Sequence, residues 1–171
     1  MLLEVHGLKT NFRTDYGMVR AVDGVDLRID RGQIVGLVGE SGCGKSVTAR
    51  SILRLIRRPG EIAGGEILFE GENLMRKSEE EMRRIRGSRI SMIFQDPMNA
   101  MNPRLKIGEQ IMETVVYRDR VATSLLGRAL QKLWPTERRR RRRAREQSME
   151  MLQRVGIPAA TERFEEYPHQ F

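Results

Sequence analysis

Residues 34–46 read Ile34-Val35-Gly36-Leu37-Val38-Gly39-Glu40-Ser41-Gly42-Cys43-Gly44-Lys45-Ser46, passing from an apolar run to a glycine-rich one within a few positions. Residues 34–38 are apolar on both faces that a strand would present, the pattern of a central parallel strand covered on either side. Gly39-Glu40-Ser41-Gly42-Cys43-Gly44-Lys45-Ser46 satisfies G-x-x-x-x-G-K-[ST], the P-loop. Glycines let the backbone curl until several N–H groups point at one anion, and a helix starting near Gly44 adds its partial positive end. Lys45 is placed to neutralise the β and γ phosphates, and the Ser46 hydroxyl to ligate Mg²⁺. The expected phosphate-binding set is therefore Gly39, Glu40, Ser41, Gly42, Cys43, Gly44, Lys45, Ser46 and, next on the helix, Val47. The pattern implies a polyphosphate and Mg²⁺ as ligands. Kinases, GTPases, helicases and transport ATPases share such a loop, so the neighbouring sequence must select among them.

Upstream of the loop, Leu3 and Val5, then Val22, Val25, Leu27 and Ile29, predict short strands punctuated by Gly24 and Gly32. Downstream, Val47, Ile52, Leu53, Leu55 and Ile56 predict a helix ending before Pro59-Gly60. Residues 66–70 predict a further strand, residues 77–86 a charged surface helix, and Ile90, Met92, Ile93 and Phe94 a strand ending at Gln95-Asp96-Pro97. The polar turn at residues 99–103 opens a second region. There Ile107, Ile111 and Val115 form one helical stripe, and Ala144, Met151, Leu152 and Val155 another. The expected fold is an α/β P-loop nucleotide-binding domain with an antiparallel β portion, residues 1–103, followed by a helical subdomain, residues 104–171.

Composition narrows the class. The 171 residues carry 31 Lys plus Arg against 23 Asp plus Glu, a net +8, with 39% apolar and 32% charged residues. That is apolar enough for a folded core and polar enough for a charged exterior. The longest apolar or glycine run, residues 34–39, is far short of the ~18 or more residues of a membrane span. Glu4 and His6 near the start argue against a secretory leader. One cysteine, Cys43, and two histidines, His6 and His169, offer neither an internal disulfide nor a zinc cluster, which fits a reducing cytoplasm. Next to a helix N-terminus, the Cys43 thiol is more readily a small loop residue than a reactive one.

Together with the P-loop, Met92-Ile93-Phe94-Gln95-Asp96-Pro97-Met98-Asn99-Ala100-Met101-Asn102-Pro103 and Ile107-Gly108-Glu109-Gln110-Ile111 resemble the ATP-binding subunits of ABC transporters, specifically the oligopeptide and dipeptide importers. Val155-Gly156-Ile157-Pro158 and Tyr167-Pro168-His169-Gln170-Phe171 look like the lead-in to that family's signature loop. The resemblance implies that Gln95 is the Q-loop glutamine, approaching Mg²⁺ and the attacking water. The alternative is that Gln95 merely ends a strand. It also implies that Phe12 stacks on adenine, with Tyr16 as a rival and core packing as the alternative. The serine-glycine-glycine signature, the Walker B strand with its catalytic glutamate and the switch histidine would follow residue 171, so the fold is expected to be incomplete at its C-terminus. His169 belongs to the stretch before the signature and is not that histidine.

The implied partners are transmembrane permease subunits, a second ATP-binding subunit and, indirectly, an extracytoplasmic solute-binding protein, at the cytoplasmic face of the cell membrane. In this family the neighbours of the P-loop strand come from downstream sequence. Residues 33–38 are therefore expected to show unpaired edges and exposed apolar faces, leaving the isolated chain unstable or aggregating.

Six consecutive arginines, Arg138, Arg139, Arg140, Arg141, Arg142 and Arg143, account for 6 of the 8 net charges. Since residues 144–155 continue as an amphipathic helix, the leading reading is a solvated helix face, with anionic-lipid or nucleic-acid contact as alternatives. Only Trp134 stands near as a stacking aromatic. Two further readings stay open: a nucleotide binder that does not hydrolyse, and a nucleic-acid binder working through the arginines.

Overall fold

The computed structural model describes residues 1–95, 101–125 and 137–170. Asp96, Pro97, Met98, Asn99, Ala100, Trp134 and Phe171, all of which carried sequence expectations, lie outside the described residues. The chain divides into two compact units, Met1–Arg86 and Gly87–Phe171.

In the first unit, β1 (Leu3–Thr14) and β2 (Gly17–Ile29) form a long antiparallel hairpin. β1 also pairs antiparallel with β3 (Gly60–Phe69), and β4 (Glu72–Asn73) completes the sheet order β2-β1-β3-β4. All three longer strands run beyond the short segments that the apolar residues predicted. The reason lies in β1, whose register shifts between Val5 and Leu8 break strict alternation. Val5, Leu8 and Thr10 are the positions buried, a pattern that period-two reading cannot follow. Glu70 and Gly71, both at positive φ, make the two-residue turn between β3 and β4, the backbone sense that matches strand twist.

α1 (Lys45–Ile52) lays Thr48, Ser51 and Ile52 inward. The Ser51 hydroxyl donates to the Val47 carbonyl at 2.8 Å, so the fully buried contact of 2.8 Å between Thr10 and Ser51 has Thr10 as donor. The helix ends four residues before the predicted stretch does, at Ile52 rather than Ile56. Arg54 takes positive φ there, while its N–H bonds to the Ser51 carbonyl and that of Leu55 to the Arg50 carbonyl, the paired bonds of a Schellman ending. Arg54 then donates to the carbonyls of Leu74 and Lys77, and Arg86 to those of Leu53 and Arg54. Two guanidiniums thus tie the end of α1 to the segment before α2 (Glu79–Ile85) and to its C-terminal neighbour.

The expected charged helix is present as α2. Ser78 and Glu81 form a reciprocal capping box, and Met82 and Ile85 are buried beneath it. The Ser78 hydroxyl and N–H hold the Glu81 carboxyl below its ordinary range, and Arg86 does the same for Glu79.

Two strand expectations are corrected. Residues 34–38 join no sheet among the described residues, and Ile34 and Val38 are 98% and 94% exposed. A central parallel strand exists only through its neighbours, and every pairing in this sheet is an antiparallel one made without it. The expected unpaired, exposed apolar run is what the structure shows. Residues 91–94 likewise carry no strand, and Ile93 is 95% exposed.

The second unit contains α3 (Ile107–Leu125), α4 (Glu137–Arg154) and α5 (Ala160–Phe164). Leu152, Ala160 and Phe164 form its buried cluster, with Ile111, Met112, Met149 and Ile157 packed against them. The α3 stripe holds, with Ile107 buried and Ile111 and Val115 partly so. The α4 stripe needs correcting: Ala144, Ser148 and Leu152 face inward at i, i+4 and i+8, whereas Met151 and Val155 are exposed. Gly156, at positive φ, ends α4 by donating to the Gln153 carbonyl while Ile157 donates to Leu152 and packs on it.

A Cβ at Gly108 would overlap the Phe164 ring, so only glycine lets α5 sit down on α3. Arg145 lies 4.7 Å from the centroid of the same ring. Glu165 bridges Lys106 at 2.9 Å and Arg145 at 2.8 Å, contacts that lower the Glu165 pKa and raise that of Lys106.

Candidate phosphate-binding site

The loop between β2 and α1 is built by two glycines with positive φ. Gly42 and Gly44 stand at φ 86° and 93°, conformations that side-chain-bearing residues rarely adopt. Gly44 caps α1, its carbonyl accepting the Thr48 N–H at 2.8 Å and the Thr48 hydroxyl at 3.0 Å. It also lies so close to β2 that an added Cβ would overlap the Ala21 carbonyl oxygen. The sequence pattern identifies Gly44 but not Ala21, whose backbone contact leaves no trace in residue type. Gly39 is tight for another reason, since a Cβ there would lie 2.7 Å from the Cys43 sulfur.

Lys45 closes the loop on itself. Its ammonium donates to the Gly39 carbonyl at 2.6 Å, to the Glu40 carbonyl at 2.7 Å and to the Cys43 Sγ at 3.5 Å. An ammonium has three protons to give, and the weakest of its three partners is the thiol. An arriving anion can therefore accept the third hydrogen bond in place of the thiol while both carbonyl bonds persist. Cys43 donates its own N–H to the Glu40 carbonyl at 3.3 Å, which tightens the same bend.

Ser41, Gly42, Cys43 and Ser46 are exposed, and Val47 is half-buried on the first turn of α1. The hydroxyl of Ser46 is thus open to solvent at the positive end of an eight-residue helix. Among the described residues no cluster of three His, Cys, Asp or Glu side chains could hold a metal alone. The donor set nevertheless suits Mg²⁺ brought in by a polyphosphate, because that ion commonly keeps waters and substrate oxygens and takes few protein ligands.

Three further residues with site expectations lie outside the glycine loop in sequence. Phe12 is half-buried in β1, opposite Val19 and Gly60, and a Cβ at Gly60 would lie 2.5 Å from its ring, so the ring lies on that glycine and near Ile56. Tyr16, the rival aromatic, is fully exposed in the β1–β2 turn. Gln95 is exposed in the second unit, where residues 91–95 have no regular structure. Thr10, Thr48 and Ser51, buried hydroxyl residues that no apolar pattern marks, seat α1. For Thr48 a signal was available: a polar residue four positions after Gly44, on the helix face that turns inward.

Residues 22–171 match the family described as ABC transporter. The chain is 40% identical over 171 residues to the oligopeptide transport ATP-binding protein OppD of Bacillus subtilis, covering 99% of this chain and 43% of that protein. It is 39% identical over 170 residues to the dipeptide transport ATP-binding protein DppD of Lactococcus lactis, with 99% and 44% covered. The chain thus spans less than half the length of these curated relatives. Among solved structures, it matches a dimeric post-hydrolysis ATP-binding cassette bound to ADP and Pi with TM-score 0.71 at 20% identity, over 99% of this chain and 63% of that one. This likeness shows the fold of an ATP-binding cassette. With the glycine loop, its lysine and the helix behind it set in that fold, the chain belongs to the ABC transporter family.

Proposed function

We propose that the chain is the phosphate-binding portion of the ATP-binding subunit of a peptide importer, coupling MgATP binding and hydrolysis to transport through permease partners. The observation that supports this most directly is the Lys45 ammonium anchored on the Gly39 and Glu40 carbonyls, in a chain whose relatives are named for oligopeptide and dipeptide transport. On this reading the amides of residues 41–46 hold the β and γ phosphates, with Lys45 contributing its charge. Ser46 binds Mg²⁺, which supplies charge neutralisation at the phosphates. Phe12 stacks on the adenine, and Gln95 serves as the position that senses nucleotide state. A second ATP-binding subunit completes the site, an extracytoplasmic solute-binding protein delivers the peptide, and the assembly works at the cytoplasmic face of the membrane. No helix among the described residues is long and apolar enough to cross a membrane itself.

Titration with a fluorescent ATP analogue and Mg²⁺ tests the reading. Saturable binding by the chain, lost on Lys45→Ala, is the expected result. Binding that survives Lys45→Ala, or none by folded chain, would refute it. Measuring phosphate release in parallel separates hydrolysis from the second reading, a chain that binds nucleotide without turning it over.

A further inference from the structure

Two hydroxyl groups meet where α1 lies on the sheet, at a place where apolar side chains would pack as well. Thr10 on β1 and Ser51 on α1 are both fully buried, and the Thr10 hydroxyl donates to the Ser51 hydroxyl, which donates in turn to the Val47 carbonyl. This relay ties the sheet to the helix that carries Lys45 and Ser46 in its first turn. The sheet is irregular here on both sides of β1. On β2, Thr10 pairs with Val22 and Asn11 with Arg20, leaving Ala21 as the extra residue. On β3, Lys9 pairs with Gly64 and Thr10 with Ile62, leaving Ala63 extra. Bulges of this kind re-aim the side chains of a strand. The extra residue on β2 is also the one whose carbonyl would overlap a Cβ at Gly44. The irregular stretch around Thr10 thus supplies two contacts, a steric stop at Gly44 and a hydrogen bond at Ser51, seven residues and roughly 10 Å further along.

We infer, on the reading of residues 39–46 as the phosphate site of a nucleotide, that Thr10 and Ser51 are positioning residues for that site. They fix the depth and rotation of α1, so that the loop amides, Lys45 and Ser46 are held in one setting. Apolar contact tolerates small slides and rotations of a helix, whereas a hydrogen bond between two short side chains weakens steeply with misalignment. Thr48 and Ile52, the other buried positions of α1, leave that setting open, because the Thr48 hydroxyl turns back to the Gly44 carbonyl and Ile52 offers only packing. Stability alone does not call for the pair, since replacing both partners of a buried hydrogen bond by apolar groups of similar shape is close to neutral.

The double variant Thr10→Val, Ser51→Ala separates positioning from packing, because it removes both hydroxyls and strands neither. It should melt with the parent, while hydrogen exchange of peptides spanning residues 44–52 quickens and affinity for a fluorescent ATP analogue with Mg²⁺ falls. One hydrogen bond's bias depopulates the binding-competent setting by roughly two- to twelvefold, and affinity should drop by the same factor. Thr10→Ser keeps the hydroxyl and should bind as the parent does. Inorganic tripolyphosphate, which has no base, should lose the same factor as the ATP analogue, which separates an effect on the loop from one on Phe12 further along β1. Parent-like affinity in the double variant, a loss that Thr10→Ser shares, or a loss confined to the ATP analogue would overturn the positioning role. Absence of saturable binding by the folded parent would refute the phosphate-site reading instead. Exchange then decides the positioning role by itself, and parent-like rates at residues 44–52 in the double variant would overturn it.

Discussion

The close approach of Gly44 to β2 makes a sharp prediction, because the loop contains a matched control. Gly42 and Gly44 have nearly the same φ, 86° and 93°, but a Cβ at Gly42 meets nothing within 4 Å while one at Gly44 would overlap the Ala21 carbonyl. Gly42→Ala therefore carries only the backbone penalty of positive φ, about 1–2 kcal/mol. Gly44→Ala carries that penalty and must also push β2 away from α1, since the overlap is well inside the 3.0 Å that real Cβ atoms respect. Overpacking of this kind costs a further ~1–3 kcal/mol, for a total near 2–5 kcal/mol. The Thr48 amide, bonded to the Gly44 carbonyl at 2.8 Å, is the local reporter. Hydrogen exchange of peptides covering α1 should accelerate modestly in Gly42→Ala and by a further factor of roughly 5 to 150 in Gly44→Ala, the ~1–3 kcal/mol of overpacking expressed as a rate ratio. Equal acceleration in the two variants, or a milder effect at Gly44, would show that β2 does not constrain the loop.

Gly108→Ala should loosen α5 from α3 by about 1–3 kcal/mol, read as a lower thermal midpoint of the helical signal, and adding Phe164→Leu should recover part of the loss. Ser78→Ala removes the cap of α2 and should cost about 1 kcal/mol in urea unfolding of the first unit. Glu165 is held below its ordinary value of about 4.5 by Lys106 and Arg145, so its stabilising effect is complete above that pH and disappears as pH falls through the lower folded value. Lys106, raised above 10.5, loses its contribution only as pH rises past its folded value. The melting temperature of the parent should accordingly fall more than that of Glu165→Gln between neutral pH and pH below 4.5. Parallel pH profiles would contradict the assignment.

The residues whose role is set by chain-local chemistry were readable in advance. Gly42, Gly44 and Lys45 declare a bend, a helix start and a charge, and the structure builds all three. The charged helix of residues 77–86 was legible in the same way, because Ser78 and Glu81 satisfy its first turn from within. Strands at 34–38 and 90–94 were not, since an apolar run specifies a wish for neighbours without supplying them. On α4, apolar residue type points to Met151 and Val155, but the helix turns neither inward. Ser148, small and polar, occupies the inward position, and Gly156 ends the regular turns near Val155. Bulges displaced the β1 pattern from strict alternation, and Gly108 yields its meaning only beside Phe164.

The ring that Lys45 makes with Gly39 and Glu40 carries one last implication. A cradle already braced by its own cation loses little freedom when a guest arrives, so the ordering entropy has been spent during folding and not at the moment of capture. On the proposed reading, entry of a polyphosphate exchanges one feeble sulfur contact, and Cys43→Ala, which removes a contact made only in the empty loop, should speed entry and tighten the hold by the same small factor in stopped-flow binding.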